Sequence, residues 1–198
     1  MKKVLILIAS FILIAGCASQ SEQQKEDMKE FLATFLEDSC STILTRSYND
    51  EKECVEVSYE SKKWDVWNSI SVSYDVTGKD VLGVRLKEPK VCHFSLGVWF
   101  IKRGATNVMS LEVKTRDKKY SIVPILVQPM SDISGYFLAY FDFNDNSAQE
   151  CLKHLSLSYD YVEMGIRTDK GMFTIPLSEI YIIQYMARTY REDGGKFE

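Results

Sequence analysis

The chain has 198 residues, 45% of them hydrophobic and 26% charged, with 24 lysines and arginines against 28 acids for a formal charge of −4. That length suits a single domain with room for a real core, and the ordinary composition argues against disorder, collagen-like repeats and coiled coil. An acidic chain without a basic patch argues against a nucleic-acid partner.

Lys2-Lys3 opens a short basic segment, and an apolar stretch follows from Val4 to Ala15, broken only by Ser10. It is shorter than the roughly 20 residues a spanning helix requires, so it reads as an export signal over residues 1–16. The stretch closes on Ile14-Ala15-Gly16-Cys17, which resembles the lipobox of bacterial lipoproteins. The resemblance implies cleavage between Gly16 and Cys17, a diacylglyceryl group on the Cys17 sulfur, and an acyl chain such as palmitate on the new amine. Several acyl chains, each buried CH2 contributing about 0.8 kcal/mol, would hold the protein on the membrane permanently. Ala18 stands where an aspartate signals inner-membrane retention. The expected address is therefore the outer membrane, facing the periplasm or the cell surface. The processed chain would keep 182 residues, and losing Lys2 and Lys3 leaves 22 bases against 28 acids, a charge of −6.

With Cys17 assigned to lipid, Cys40, Cys54, Cys92 and Cys151 remain. In an oxidising envelope an even set reads as two disulfides with three possible connectivities. Cys40–Cys54 is favoured because the two flank the turn Ser47-Tyr48-Asn49-Asp50, which leaves Cys92–Cys151 as a long-range staple. Each would contribute about 3–4 kcal/mol. Zinc is the weaker reading, since there is no Cys-x-x-Cys pair and the histidines are His93 and His154 alone; no metal and no cofactor are expected.

Residues 17–25 read as a polar tether. Met28, Phe31, Leu32, Phe35, Leu36, Cys40, Ile43 and Leu44 recur at spacings of three and four, which predicts an amphipathic helix over 26–46. From residue 54 the period becomes two. Val55, Val57 and Tyr59 form one strand; Ile70, Val72, Tyr74 and Val76 form the next, alternating with Ser69, Ser71, Ser73 and Asp75. Thr77-Gly78-Lys79-Asp80 turns the chain into Leu82, Val84 and Leu86. Residues 91–101 are almost continuously apolar and predict a central strand. Met109 to Val113, Tyr120 to Val127 and Tyr136 to Phe143 are further strands.

A helix is expected over 146–157, capped by Asn146 or Ser147, then a hairpin from Val162 to Ile175 turning at Asp169-Lys170-Gly171. Pro176 closes it, Ser178 caps a last amphipathic helix, and residues 193–198 should fray. The fold class is α+β and β-rich. It is an antiparallel β-sandwich or strongly bent sheet over a core of 54–190, with an N-terminal helix and two short C-terminal helices, in one globular domain over 26–192.

Three segments of the second half, in order, resemble the invasion-associated locus B family of bacterial envelope proteins. They are Ser95-Leu96-Gly97-Val98 with Gly104 after it, Gly135-Tyr136-Phe137-Leu138-Ala139, and Ile175-Pro176-Leu177-Ser178. The resemblance covers roughly residues 91–188. It implies a non-enzymatic envelope protein, linked in pathogenic members to host-cell invasion, with no catalytic residues to carry over. Where that family has a cysteine pair this chain has Gln128 or Met130 and Tyr136, so its disulfide pattern does not transfer.

Chemistry is sparse. Cys151 and His154 stand three apart on a predicted helix, a spacing open to a thiolate–imidazole pair, but a disulfide half and a solvated histidine are the simpler reading. Gly-x-Ser-x-Gly, His-Glu-x-x-His and P-loop patterns are absent. Asp142/Asp145 and Glu150/Asp160 could imitate glycosidase carboxylates, yet among 28 acids such pairs arise by chance. Trp64 and Trp67, Tyr136 with Tyr140, and Tyr181, Tyr185 and Tyr190 read mainly as core, with any exposed members suited to a protein partner. Ser134, Gly135 and Tyr136 are the expected binding loop. The expectation is a lipid-anchored envelope binding module without catalysis, attached to the membrane through Cys17 and serving a protein partner in host interaction or envelope integrity. The rival is an inhibitor or immunity lipoprotein blocking a wall-degrading or toxic enzyme.

Overall fold

The computed structural model describes residues 42–49, 54–61, 68–76, 80–81, 84–85, 93–130, 133–157, 161–195 and 197. They belong to a compact unit spanning Cys40–Glu198. The signal, the tether, Cys17, Cys40, Cys92, Trp64 and Trp67 lie outside the described residues, as does the expected helix up to residue 41.

The strands, numbered in chain order, are β1 (Thr42–Asn49), β2 (Cys54–Ser61), β3 (Ser69–Val76), β4 (Asp80–Val81), β5 (Val84–Arg85), β6 (His93–Ile101), β7 (Val108–Lys114), β8 (Lys119–Ile122), β9 (Leu126–Pro129), β10 (Tyr136–Asp142), β11 (Glu163–Thr168) and β12 (Gly171–Thr174). Two helices follow the main strands, α1 (Asn146–Leu157) and α2 (Leu177–Glu192). The fold is β-rich, with a six-stranded antiparallel sheet in the order β1-β2-β3-β6-β10-β9 and a four-stranded antiparallel sheet in the order β12-β11-β7-β8. β4 and β5 form a small separate hairpin in place of the single strand expected through Leu82 to Leu86.

Alternation of apolar and polar residues sets the two faces of the larger sheet. Val57 and Tyr59 on β2 stand beside Tyr74 and Val72 on β3; these in turn stand beside Phe94 and Leu96 on β6, and Leu96 and Val98 beside Phe141 and Ala139 on β10. All are buried. α2 packs on β3 and β11, α1 on β8 and α2, so the helices reach both sheets. At the centre Tyr190 of α2, fully buried, meets Tyr74 and Phe94 edge-on with ring centroids 5.5 and 5.8 Å away. Phe94 also meets Phe143 edge-on at 5.4 Å. Phe100 links the sheets, stacking at a tilt on Phe137 and on Phe173 of β12.

Several local expectations are corrected. Residues 42–46, taken as the last turn of a helix, belong to β1, which pairs with β2 along its whole length. Thr42, Ile43 and Thr45 are β-branched and suit a strand, and the pairing with β2 overrides the three–four spacing. The strand expected from Tyr120 to Val127 is two strands on different sheets. Pro124 stands between them, having no N–H to give to a ladder. α1 is capped by Asp145 rather than Asn146 or Ser147: its carboxylate accepts the Ala148 N–H at 2.8 Å. Ser178 lies inside the first turn of α2, whose N-cap is Pro176 without a side-chain bond.

The first residues of the C-terminal tail, 193–195, turn back on the helix end. Asp193 ends α2, Gly194 follows with φ at +98°, and the N–H groups of Gly194 and Gly195 donate to the carbonyls of Arg191 and Tyr190. This is the Schellman arrangement, in which a left-handed residue lets the chain turn back onto the last helical carbonyls. It brings Phe197 edge-on to Tyr190 at 5.7 Å and lets Asp193 Oδ2 accept the Tyr74 hydroxyl at 2.7 Å.

Candidate functional site

The side of the six-stranded sheet opposite the core follows from the same alternation. It carries Glu56, Ser58 and Glu60 from β2; Ser69, Ser71, Ser73 and Asp75 from β3; His93, Ser95, Gly97, Trp99 and Ile101 from β6; and Tyr136, Leu138, Tyr140 and Asp142 from β10. No lysine or arginine stands among these positions. Glu56, Ser58, Ser73, Tyr74, Asp75, His93 and Ser95 line a shallow cleft of about 370 Å³.

Hydroxyl groups run across the strands in register. Thr45 Oγ1 lies 2.6 Å from Ser58 Oγ, and Ser73 Oγ lies 2.8 Å from Ser95 Oγ. Cross-strand pairs of this kind hold register at a few tenths of a kcal/mol to about 1 kcal/mol each. Beside the cleft a polar chain links four residues. Asn144 Nδ2 approaches His93 Nδ1 at 2.8 Å and donates to Asp142 Oδ2, while Asp75 Oδ1 accepts the His93 backbone N–H at 2.7 Å. Asp142 Oδ1 is buried and has no hydrogen-bond partner among the described residues. Burial pushes the Asp142 carboxyl above its ordinary range, and the carboxylates of Asp75 and Asp145 add to this, against a smaller opposing pull from His93.

Farther along the same face, outside the cleft lining, stand two aromatics. Trp99 and Tyr140 meet edge-on at 6.4 Å. Gly97 lies beneath Tyr140: a Cβ there would come within 2.6 Å of Ser71 Oγ and 3.0 Å of the tyrosine ring. The face is thus divided between an aromatic seat and a hydroxyl-and-carboxylate cleft.

The outer side of the four-stranded sheet differs in kind. Its charges alternate in sign and pair with one another: Lys114 with Glu163 at 3.0 Å, and Arg167 with Glu112 at 3.7 Å. Lys119, Tyr161 and Met172 join them around a second cleft of about 380 Å³.

The residues singled out from sequence fall as follows. Ser134 is exposed, Gly135 buried and Tyr136 half-buried, so they form the turn into β10. Gly135 has φ at +81°, its carbonyl accepts the Lys102 N–H at 2.8 Å, and only 2.2 Å would separate a Cβ there from the Lys102 carbonyl oxygen. Cys54 and Cys151 are both buried. Cys151 carries a free thiol, and burial holds it far above the ordinary thiol range. His154 Nδ1 lies 3.2 Å from the Tyr120 hydroxyl. The structure therefore gives Cys151 no thiolate character, and its neighbour three residues on serves a tyrosine. Glu150 pairs with Lys118 and Asp145 caps α1, while Asp160 lies outside the described residues. Among the described residues no group of three or more His, Cys, Asp and Glu is placed to hold a metal ion, and no helix is long and apolar enough to cross a membrane.

Trp99, Asp75 and Asn144 carry no signal of their own in the sequence. Their common face could have been read from parity: Ser69, Ser71, Ser73 and Asp75 on one strand, and His93, Ser95 and Trp99 on another, occupy alternate positions opposite the apolar set. Protein-family models, curated proteins and solved structures yield no match to this chain.

Proposed function

We propose that this is a lipid-anchored bacterial envelope protein acting as a non-catalytic binding module, with the solvent side of the six-stranded sheet as its contact surface. The observation that carries the binding reading is that face: it joins a cleft of hydroxyls and carboxylates to an aromatic pair, on a rigid sheet whose other side is core. Such a combination of fixed polar groups beside Tyr and Trp is what recognition surfaces use. The anchor rests on Ile14-Ala15-Gly16-Cys17, with Cys17 as lipid carrier and the outer membrane as destination. Within this reading the two sheets form a sandwich around the shared aromatic core, and Cys54 and Cys151, both free thiols in this structure, would pair with Cys40 and Cys92 on oxidation. The likeness of residues 91–188 to the invasion-associated locus B family fits the same envelope role.

Replacing Cys17 tests the anchor: Cys17→Ala is expected to accumulate as unprocessed precursor without lipid, read by mass and by fractionation of the envelope. Normal maturation of that variant would refute it. A second reading, an inhibitor or immunity lipoprotein for a wall-degrading or toxic enzyme, is favoured by the excess of carboxylates on the contact face. Binding to a muramidase with loss of its activity would support it, and failure to inhibit any such enzyme would remove it.

A further inference from the structure

We infer that the knuckle between β8 and β9, Val123 to Leu126, inserts into the surface of a lipid bilayer and gives the folded unit a second point of membrane attachment. This contact rests on the lipid-anchored reading and adds to it the part of the fold that meets the membrane.

From Tyr120 to Ser131 the chain carries no charged residue. Within that stretch Val123, Ile125 and Leu126 are 70%, 68% and 49% exposed, and Pro124 beside them is partly exposed. Single exposed apolar residues are ordinary, but consecutive ones are unfavourable in water and mark a contact. The backbone holds them in place. The Ile125 N–H donates to the Tyr140 carbonyl at 2.8 Å, and Leu126 to Pro129 pair with β10 in unbroken register. The knuckle therefore presents its side chains on a rigid support and has no loose loop with which to withdraw them.

The chemistry of the knuckle selects a bilayer over a protein. Its exposed side chains are aliphatic, whereas the residues that carry protein–protein binding are chiefly Trp, Tyr and Arg, with Leu and Val under-represented. Val123, Ile125 and Leu126 line neither of the two clefts, and side chains this exposed project outward, which suits a deformable acyl layer. An added protein strand is poorly served at this edge, since β9 is short and ends on Pro129, which has no N–H to offer. Leu126 stands opposite Tyr140, and Tyr140 meets Trp99 edge-on at 6.4 Å, so the aliphatic tip is backed by the two residue types favoured at the level of lipid headgroups. The tether supplies the bilayer. Residues 18–41, between Cys17 and β1, reach at most about 85 Å when fully extended, so an anchored chain keeps the knuckle within range of the membrane at high effective concentration.

The test reconstitutes the full lipidated chain in phosphatidylcholine vesicles, after the lipid on Cys17 has been verified by mass. A tryptophan introduced as Ile125→Trp should add emission that acyl-brominated phosphatidylcholine quenches about twofold or more. One introduced as Leu157→Trp, on α1 and also exposed, should add emission that the same lipid leaves nearly unchanged. Photolysis of a diazirine-bearing lipid around the unsubstituted protein depends on no variant folding, and should label residues 120–131 in addition to the segment next to Cys17. Equal quenching at the two positions, none at Ile125, or labels on the folded unit only outside 120–131 overturns the contact. So does protection of the knuckle that grows with the protein-to-lipid ratio, which would make a second copy its occupant. Absence of lipid on Cys17 overturns the anchored-protein reading and this contact with it; lipid in place without quenching at Ile125 overturns the contact alone.

Discussion

Asp142 sits where a sheet needs no charge: on β10, half-buried, with one carboxylate oxygen bonded to Asn144 and the other without a donor. Burial raises its carboxyl, so folding disfavours its ionised form. The folded state is therefore penalised at neutral pH, and the penalty disappears once the pH is below the value at which this aspartate titrates in the unfolded chain. Asp142→Asn should accordingly be more stable than the parent at pH 7.5, by about a few tenths of a kcal/mol after solvent screening of this partly exposed group, and equal to it near pH 3, as read by thermal melts at the two pH values. A lower melting temperature at pH 7.5 would show that the carboxylate is tied down by a partner. The apolar run of residues 91–101 already placed His93 on a strand, because that pattern needs only neighbours in the chain. The link from His93 through Asn144 to Asp142 was not legible, since it depends on the register that sets Ser95 beside Asp142 on β10.

Elements respond to chemistry at their ends. Asp145 satisfies one of the free N–H groups at the start of α1, and Asp145→Ala should cost about 1 kcal/mol in urea unfolding, while Asn146→Ala and Ser147→Ala should cost a few tenths. The turn into β10 is less forgiving. Gly135→Ala meets both a left-handed backbone and the Lys102 carbonyl, and should lose about 2–3 kcal/mol by the same measurement. Both glycine and aspartate were visible as turn formers, but not their roles. Nearby candidates compete for a cap on local grounds, and the winner is the one whose side chain reaches the second or third N–H. Pro124 was equally visible, and its consequence was missed because the apolar pattern of Tyr120 to Val127 continues through it while the chain changes sheet. The end of α2 shows the opposite lesson: Gly194 just past the helical pattern is a stop signal, and the N–H groups of Gly194 and Gly195 donate back to the carbonyls of Arg191 and Tyr190.

At the scale of the whole molecule, one side chain joins the parts. Tyr190 projects from α2 between β3 and β6, and Tyr74, Phe94, Phe197 and the turn at Gly195 close around it. Tyr190→Ala should cost about 3–5 kcal/mol, with helix and sheet signals lost together in one denaturant transition. A variant that lost helical signal alone would show that α2 docks as an independent unit. By itself the sequence determined that the molecule is β-rich, which alternate residues of the main strands face the core, and where both C-terminal helices run. These follow from periodicity and short-range chemistry, which a single segment contains whole. Only the tertiary structure decided that Thr42–Asn49 is a strand, that Pro124 marks a passage between sheets, and that the residues away from the core of four strands make one acidic, aromatic-flanked face. Those depend on which strand lies beside which and in what register, and pairing energy between residues far apart in the chain overrides the preference of either segment alone.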